Sequence, residues 1–456
     1  RNTANLVPAD LRKWGPWLDF ALAAGVLVAA GEIEADEVEG FAYVGELGLD
    51  GHVRPVRGAL AMAEAARAMG CRGIVVPEQN GPEAALAHGL QVRTISSVSQ
   101  LRTFGIDGDY GDVPNPIEFS NTDQLPDLRD LRGQETLRRG LEVAAAGGHG
   151  MLMVGPPGSG KSLAARRLPS ILPPLDGTEI LEVVRIGSAC GIGTGSITTN
   201  RPFRAPHHTV SAAGLVGGGS PARPGEVTLA HRGVLFMDEL VEFSRPSLEA
   251  LRQPIEEGEV AVARAAGRMT YPADFQLIAA ANPCACGHGE LAPECRCSEA
   301  SVARYRAALA GALADRIDIH IGIDQPDAAA LAGEPGESSA DVRERVLLAR
   351  DRQTDRYGEN RTNSRATPAE VSEFTLAAEA LAVLKSEQFI TGRGTSRLLT
   401  VARTLADLAA SNEIREEDVP PALLYSRRPQ PAAASLPSYS KGPCRAFSSV
   451  VGVRFG

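Results

Sequence analysis

Aromatic side chains are scarce in this chain, at 5% of 456 residues with only two Trp. Hydrophobic residues still reach 43% and charged residues 22%, the balance of a globular protein. The core must therefore be assembled from small aliphatic side chains. Long apolar runs are also missing. None reaches the ~18 residues of a membrane span, and residues 20–30 read as a buried helix. No signal peptide and no initiating Met are visible, so the chain reads as a fragment or processed form of a cytoplasmic protein without a membrane partner. Positive charge is in deficit as well, with a formal net charge of −10. That argues against nucleic-acid binding by bulk charge, although a ring-shaped assembly can confine its positive charge to a pore. Cysteine is sparse and unevenly spread: four of the seven, Cys284, Cys286, Cys295 and Cys297, fall within 14 positions. Such clustering argues for a metal in a reducing compartment rather than a disulfide framework. Cys71, Cys190 and Cys444 carry no functional assignment.

Glycine, by contrast, is placed where it does chemistry. Gly155-Pro156-Pro157-Gly158-Ser159-Gly160-Lys161-Ser162 fits G-x-x-x-x-G-K-[ST] and follows the apolar run Met151–Val154. A strand, a phosphate loop and a helix start stand in the order that nucleotide binding requires. Backbone N–H groups of the loop would close around the phosphates, with the helix N-terminus favouring their charge. Lys161 would reach the β- and γ-phosphates, and the Ser162 hydroxyl would ligate Mg²⁺. About 75 residues downstream, Val234-Leu235-Phe236-Met237 ends in Asp238-Glu239. A buried strand presents both carboxylates at its carboxyl end, where ligands bind in open α/β sheets. Asp238 would hold Mg²⁺ through water, and Glu239 would polarise the attacking water. A third apolar run, Leu277 through Ala281, ends in Asn282-Pro283. Asn282 could orient the same water, the alternative being a plain turn.

At this length two or three domains are expected. Residues 1–104 form an α/β unit, with helices at 10–30 and 59–69 and strands at 41–47 and 73–77. Residues 105–126, rich in Gly, Asp, Pro and Asn, read as a linker. Residues 127–330 alternate strands and helices in the pattern of a doubly wound sheet, after a helical segment at 135–146. Residues 331–428 are helical, with apolar spacing at 371–384 and 396–408. The tail 429–456, rich in Pro, Ala and Ser, reads as disordered.

Cys284-Ala285-Cys286 and Cys295-Arg296-Cys297 make two C-x-C pairs joined by eight residues. Four thiolates from one loop suit structural Zn²⁺ in tetrahedral coordination, with His288 as a possible substitute ligand. Between the phosphate loop and Asp238 lies the glycine-rich tip Ala212-Ala213-Gly214-Leu215-Val216-Gly217-Gly218-Gly219-Ser220, flexible enough for a translocating loop. Residues 259–275 alternate and turn at Ala266-Gly267, reading as a β-hairpin with Arg264 and Arg268 near its tip. These arginines suit phosphate contacts, or are ordinary solvated arginines.

The segments Arg204-Ala205-Pro206-His207-His208, Gly217-Gly218-Gly219, Arg223-Pro224-Gly225-Glu226 and Leu229-Ala230-His231 resemble the ComM/YifB family of magnesium-chelatase-like AAA+ proteins. So do Leu251-Arg252-Gln253-Pro254, Asn282-Pro283-Cys284 and Asp315-Arg316-Ile317-Asp318. The resemblance covers nearly all of residues 1–428. It implies a P-loop AAA+ core with a C-terminal helical lid, both α/β and helical parts arranged to close on ATP and Mg²⁺. Arg316 would then be an arginine finger reaching the neighbouring subunit's γ-phosphate, which requires a ring and implies a hexamer. The reading from spacing alone is a salt bridge to Asp315 or Asp318. Arg393, in Thr391-Gly392-Arg393-Gly394, matches the sensor-2 position, with Arg397 as the alternative.

Lys13-Trp14-Gly15-Pro16-Trp17, Gly45-Glu46-Leu47-Gly48-Leu49-Asp50-Gly51 and Arg54-Pro55-Val56-Arg57-Gly58 resemble a Lon-protease-like (ribosomal S5 domain 2-like) α/β domain, whose family copy begins further upstream. Trp17 and Leu60 occupy the positions of its Ser nucleophile and Lys base, so the domain should be proteolytically inactive. The resemblance implies a hexameric helicase or branch-migration ATPase acting on single-stranded or branched DNA, in homologous recombination or natural transformation. In its helix-2-insert branch the glycine-rich tip and the hairpin face the pore and grip DNA. The alternative is a magnesium-chelatase-like ATPase subunit driving metal insertion or protein remodelling. The Lon-like domain and the four-cysteine loop count against it, since chelatase ATPase subunits resemble residues 125–428 only.

Overall fold

A computed structural model describes residues 15–103, 125–192, 198–219, 223–264, 267–289, 292–309, 311, 313, 316–386 and 392–426. The chain divides into two compact units. One takes residues 1–124 and 175–200, the other 125–174 and 201–456.

The amino-terminal unit is built on three parallel strands in the order Phe41–Tyr43, Gly73–Pro77, Gln91–Ile95. All five residues of the central strand are buried, as a parallel strand covered on both faces demands. The helix expected at 10–30 is observed over Asp19–Ala29, and its first residues lie outside the described ones. It is not buried throughout: Phe20 and Ala24 face the core, while Val26 is 50% exposed. The expected strand at 41–47 splits into Phe41–Tyr43 and Glu46–Leu47, the latter pairing with Val53–Arg54. The helix Ala59–Ala68 buries Ala59, Leu60, Ala63 and Ala66. A second helix, Gly177–Cys190, opens on a capping box between Asp176 and Glu179 and adds Ile180 and Val184 to the same cluster. Its Arg185 makes a two-pronged bond to Glu64 at 2.6 and 2.9 Å. Residues 175–200, expected inside a continuous 127–330 core, thus fold with the amino-terminal unit because their apolar stripe finds its partners there. Trp17 and Leu60 both lie in that cluster, and the Leu60 N–H donates to the buried Glu83 carboxylate at 2.8 Å.

In the second unit five strands, β1 (Met151–Val154), β2 (Phe203–Arg204), β3 (Val234–Met237), β4 (Gln276–Ala281) and β5 (Ile319–Gly322), form one parallel sheet in the order β5-β1-β4-β3-β2. Strand periodicity sorts their side chains onto two faces. Met151, Met153, Phe236, Ile278, Ile319 and Ile321 pack with the helix Glu135–Gly147 and the carboxyl-terminal helices. Leu152, Val154, Leu235, Met237, Leu277 and Ala279 pack with the insertions between β2 and β4. The parallel order β5-β1-β4-β3-β2 puts β1 between β4 and β5, so the loop leaving β1 meets the ends of its neighbours.

Helices Ser339–Tyr357, Gly392–Leu408 and Val419–Ser426 form the carboxyl-terminal helical part, expected as the lid. Its centre is polar. Asp407 accepts from Arg356 at 2.7 and 3.1 Å, from Asn363 at 2.9 Å and from Arg403 at 3.2 Å. Asn363 also donates to Thr404, whose hydroxyl lies 2.8 Å from His149 Nε2, and His149 Nδ1 lies 3.0 Å from Asp318. A file of buried polar groups therefore runs from the lid to the foot of β5.

The expected hairpin is present as Glu259–Arg264 paired with Gly267–Pro272, in the register Arg264 opposite Gly267. Its turn lies outside the described residues, as do the side chains of Arg264 and Arg268. The glycine-rich tip is more ordered than the sequence suggests. Ala212–Val216 is a short helix, and Gly217–Gly218 pairs with Arg223–Pro224. A Cβ on Gly225 would sit 2.3 Å from the Leu215 carbonyl and 2.4 Å from the Gly217 nitrogen, so glycine here permits close backbone packing rather than mobility. Residues 105–124 of the expected linker at 105–126 and the expected tail at 429–456 lie outside the described residues, as does Cys444. No described helix is long and apolar enough to cross a membrane.

Candidate active site

The phosphate loop leaves β1 and turns through Gly158 and Gly160, whose φ values of 79° and 89° favour glycine. The helix that follows, Lys161–Ala165, is only five residues long, so backbone N–H groups of the loop dominate any anion binding here. Lys161 folds back over its own loop. Its ammonium donates to the carbonyls of Gly155 at 2.6 Å and Pro156 at 2.8 Å, and to Asn282 Oδ1 at 3.4 Å. Burial pushes the Lys161 ammonium below its ordinary pKa, and the Asp238 charge opposes that shift.

The Ser162 hydroxyl donates to Asp238 Oδ2 at 2.7 Å, bringing together the two oxygens expected to share a divalent cation across 76 residues of chain. That donor set is hard and oxygen-only, as Mg²⁺ requires. Glu239 follows in the left-handed region at φ 53°, a conformation costing about 1–3 kcal/mol for a non-glycine residue. Its N–H caps Asp238 at 3.0 Å, and its carboxylate lies 3.3 Å from His208 Nδ1. The sequence reading missed His208 as a site residue. The available signal is its place four residues beyond β2, at the end of the sheet where the loop and both carboxylates converge.

Arg316 does not pair with Asp318, which is taken by His149. Its guanidinium instead meets Glu256 at 2.6 Å. Asp315 lies outside the described residues. Arg397 donates to the Ile317 carbonyl at 3.0 Å, next to Arg316 in the chain, and the side chain of Arg393 lies outside the described residues.

The cysteine loop leaves β4 just after Asn282. The Sγ atoms of Cys284, Cys286, Cys295 and Cys297 all lie within 4.8 Å of one another. Cys286 stands 3.3 Å from Cys284 and 3.7 Å from Cys295, with Cys284 to Cys295 at 3.9 Å. Tetrahedral bonds of ~2.3 Å to zinc place sulfurs about 3.8 Å apart, so the set fits that ion. His288 is not in the group. The same loop touches the phosphate loop: a Cβ on Gly287 would lie 3.0 Å from the Pro157 ring. Neither Cys71 nor Cys190 belongs to this group.

Family comparisons agree with this layout. Residues 127–331 match the family described as magnesium chelatase, subunit ChlI, and residues 336–426 match its C-terminal part. Residues 1–80 match a family described as subunit ChlI of Mg-chelatase. An uncharacterised protein of Mycobacterium tuberculosis is 43% identical over 439 residues, covering 93% of this chain and 86% of that one. Escherichia coli YifB is 39% identical over 433 residues, covering 93% and 84%. The competence protein ComM of Haemophilus influenzae is 36% identical over 438 residues, covering 93% and 85%. Similarity of that depth, sustained along both units, settles the ancestry: the chain belongs to the ComM/YifB family of magnesium-chelatase-like AAA+ proteins.

Proposed function

We propose that the chain is an ATP-dependent DNA motor, working as a hexameric ring in branch migration or strand unwinding during recombination or DNA uptake. One observation carries this reading. The hairpin Glu259–Pro272 is inserted between β3, which delivers Asp238 and Glu239, and β4, which delivers Asn282. Its first stem follows β3 through the helices Arg245–Ala250 and Arg252–Glu257, and its second runs into the start of β4, so the hairpin belongs to the same stretch of chain as both site strands and is read as moving with them. The kinship with the competence protein ComM agrees with a DNA substrate.

In the proposed cycle the loop N–H groups hold the phosphates of ATP, and Lys161 exchanges its carbonyl partners for the β- and γ-phosphate oxygens. Ser162 and Asp238 would hold Mg²⁺, which would offset negative charge on the bound phosphates. Glu239 turns toward the attacking water and draws its proton, while Asn282 orients that water. Arg316 of the next subunit offsets the charge on the transferring phosphoryl group, and Arg393 or Arg397 reports nucleotide state to the lid. Cys284, Cys286, Cys295 and Cys297 would hold a structural zinc, which would fix the loop beyond Asn282. Arg264 and Arg268 supply phosphate contacts to DNA. The amino-terminal unit has no peptidase role, because Trp17 and Leu60 offer neither a nucleophile nor a base.

A chelatase-like subunit is the second reading, and the chelatase description attached to residues 1–80 favours it more than the sequence reading allowed. The four-thiol loop then remains as the feature that counts against it. Branch migration of a synthetic four-way junction, with Lys161→Ala as control, tests the motor. ATP-dependent movement absent from Lys161→Ala is the expected result. Failure of single-stranded and branched DNA either to bind the ATP-loaded protein or to stimulate hydrolysis overturns it.

A further inference from the structure

Arg316 stands just before β5, which runs parallel to β1 with Ile319 opposite Met151. The phosphate loop leaves the other end of β1, so Arg316 lies at the end of the sheet away from its own nucleotide site. The two residues that follow it are fastened to the carboxyl-terminal helices. Arg397 donates to the Ile317 carbonyl at 3.0 Å. The imidazole of His149 is fully buried, with Nδ1 3.0 Å from Asp318 Oδ2 and Nε2 2.8 Å from the Thr404 hydroxyl. Arg397 and Thr404 are about two turns apart on the helix Gly392–Leu408, so one face of that helix holds both positions. Gly147 clears the space, because a Cβ there would fall 2.2 Å from His149 Nε2 and 2.5 Å from Thr404 Oγ1. A second anchorage of the segment does not involve the helix: the Gly150 carbonyl accepts from the N–H groups of Asp318 and Ile319 at 3.1 and 3.0 Å.

From this placement we infer that His149 is a positioning residue for Arg316, acting through Thr404 to set the reach of the finger from the helix Gly392–Leu408. The inference rests on the trans role proposed for Arg316. A finger acts only where its guanidinium meets the phosphoryl oxygens of the neighbouring site, and a 1 Å misplacement costs up to ~10²-fold in rate. Whatever the guanidinium meets on its own subunit, its backbone starts from where Ile317 and Asp318 are held. A rigid ring with two separated nitrogens spans the Asp318 carboxylate and the Thr404 hydroxyl without the slack of an aliphatic chain. Because β1 keeps its own hold on Asp318, cutting the helix link leaves β5 paired and loosens the approach of Arg316.

The test is steady-state ATP hydrolysis by the full chain, in uniform and in mixed rings, with assembly followed by mass photometry. Thr404→Val keeps the shape of the side chain and removes the hydroxyl, while His149→Asn keeps a polar atom toward Asp318 and withdraws from Thr404. Each should lower kcat about tenfold with KM for ATP unchanged, and the double variant should lose no more than either, because one link is cut from two sides. Thr404→Ser should hold the wild-type rate. Thr400→Val, which removes a hydroxyl bonded within the same helix, should hold it too. Mixing Thr404→Val with Lys161→Ala subunits, whose Arg316 is intact, should give rings faster than either variant alone; mixing it with Arg316→Ala subunits should not. A wild-type kcat in Thr404→Val and His149→Asn, additive losses in the double variant, or no gain beside Lys161→Ala overturns the inference. So does failure of both single variants to assemble, which would make the link one of folding. Arg316→Ala mixed with Lys161→Ala reports separately on the trans role: no gain there removes the finger reading and the inference with it, whereas a gain there without one for Thr404→Val overturns the inference alone.

Discussion

Asp407→Asn should destabilise the nucleotide-binding unit by about 3 kcal/mol. Asp407 is fully buried and Arg403 is 2% exposed, so the pair is shielded from water. Burial pulls the Arg403 guanidinium below its usual pKa, and the Asp407 charge opposes this. Removing one partner of a buried pair costs about 3–5 kcal/mol, because the other charge is left uncompensated. Two features favour the lower end. Arg403 keeps bonds to the Ser411 and Asn412 carbonyls, and Arg356, at 28% exposure, can turn toward solvent. For a unit of this size ~3 kcal/mol corresponds to a drop of about 4–6 °C in Tm, readable by calorimetry without nucleotide. Removing both charges together, as Arg403→Met with Asp407→Leu, should recover at least half of the loss, since the buried Arg403 charge goes with its partner and the part-exposed Arg356 can turn to solvent. A single variant within about 1 kcal/mol of the wild type, or a double variant no better than the single, would refute the reasoning.

Glu239→Gln should lower kcat for ATP by about 10²–10⁴ while ATP binding survives, and intact hydrolysis would remove Glu239 from the water-activating role. The purified chain should carry about one equivalent of zinc, lost together with part of the thermal stability in Cys284→Ser and Cys295→Ser; metal analysis finding no zinc in a freshly reduced sample contradicts the site. In the lid, Arg361 and Thr367 hold the Glu370 carboxyl down to about 2, from an ordinary 4.5. A carboxylate with a depressed folded-state pKa stabilises above its unfolded value and loses that contribution as pH falls. Lid stability should therefore decline from about pH 4.5 toward about pH 2, and Arg361→Ala should flatten that decline in acid melts followed by circular dichroism. An unchanged acid slope in Arg361→Ala would show that the pair does not set it.

The parts of the site that could be read from sequence are those in which chemistry and spacing are local. The phosphate loop, Asp238 with Glu239 at the end of an apolar run, and Asn282 after another each combine a strand with a polar ending. The four thiols belong to one loop, and the hairpin declares itself by alternation. What escaped reading depends on partners far away in the chain. His208 becomes a site residue only because β2 lies beside β3 in the sheet, and Glu256 meets Arg316 only because the foot of the hairpin lies at the foot of β5. The glycines around Gly217 and Gly225 look like flexibility until the backbone atoms that press on them are known. The polar file from Asp407 to Asp318 joins four stretches of chain, and no local pattern marks it.

Residues 175–200 give the chain an unusual stitching. It enters the second unit at 125, returns to the first at 175 and comes back at 201. Proteolysis between 104 and 124 would therefore leave the amino-terminal fragment held by its packing against residues 175–200, which stay covalently joined to the second unit at both ends. A truncated protein starting at 127 would carry the helix Gly177–Cys190 without the cluster that covers Ile180 and Val184, and should aggregate through that bare stripe. The same stitching makes a force applied to either unit travel along three peptide connections instead of one tether.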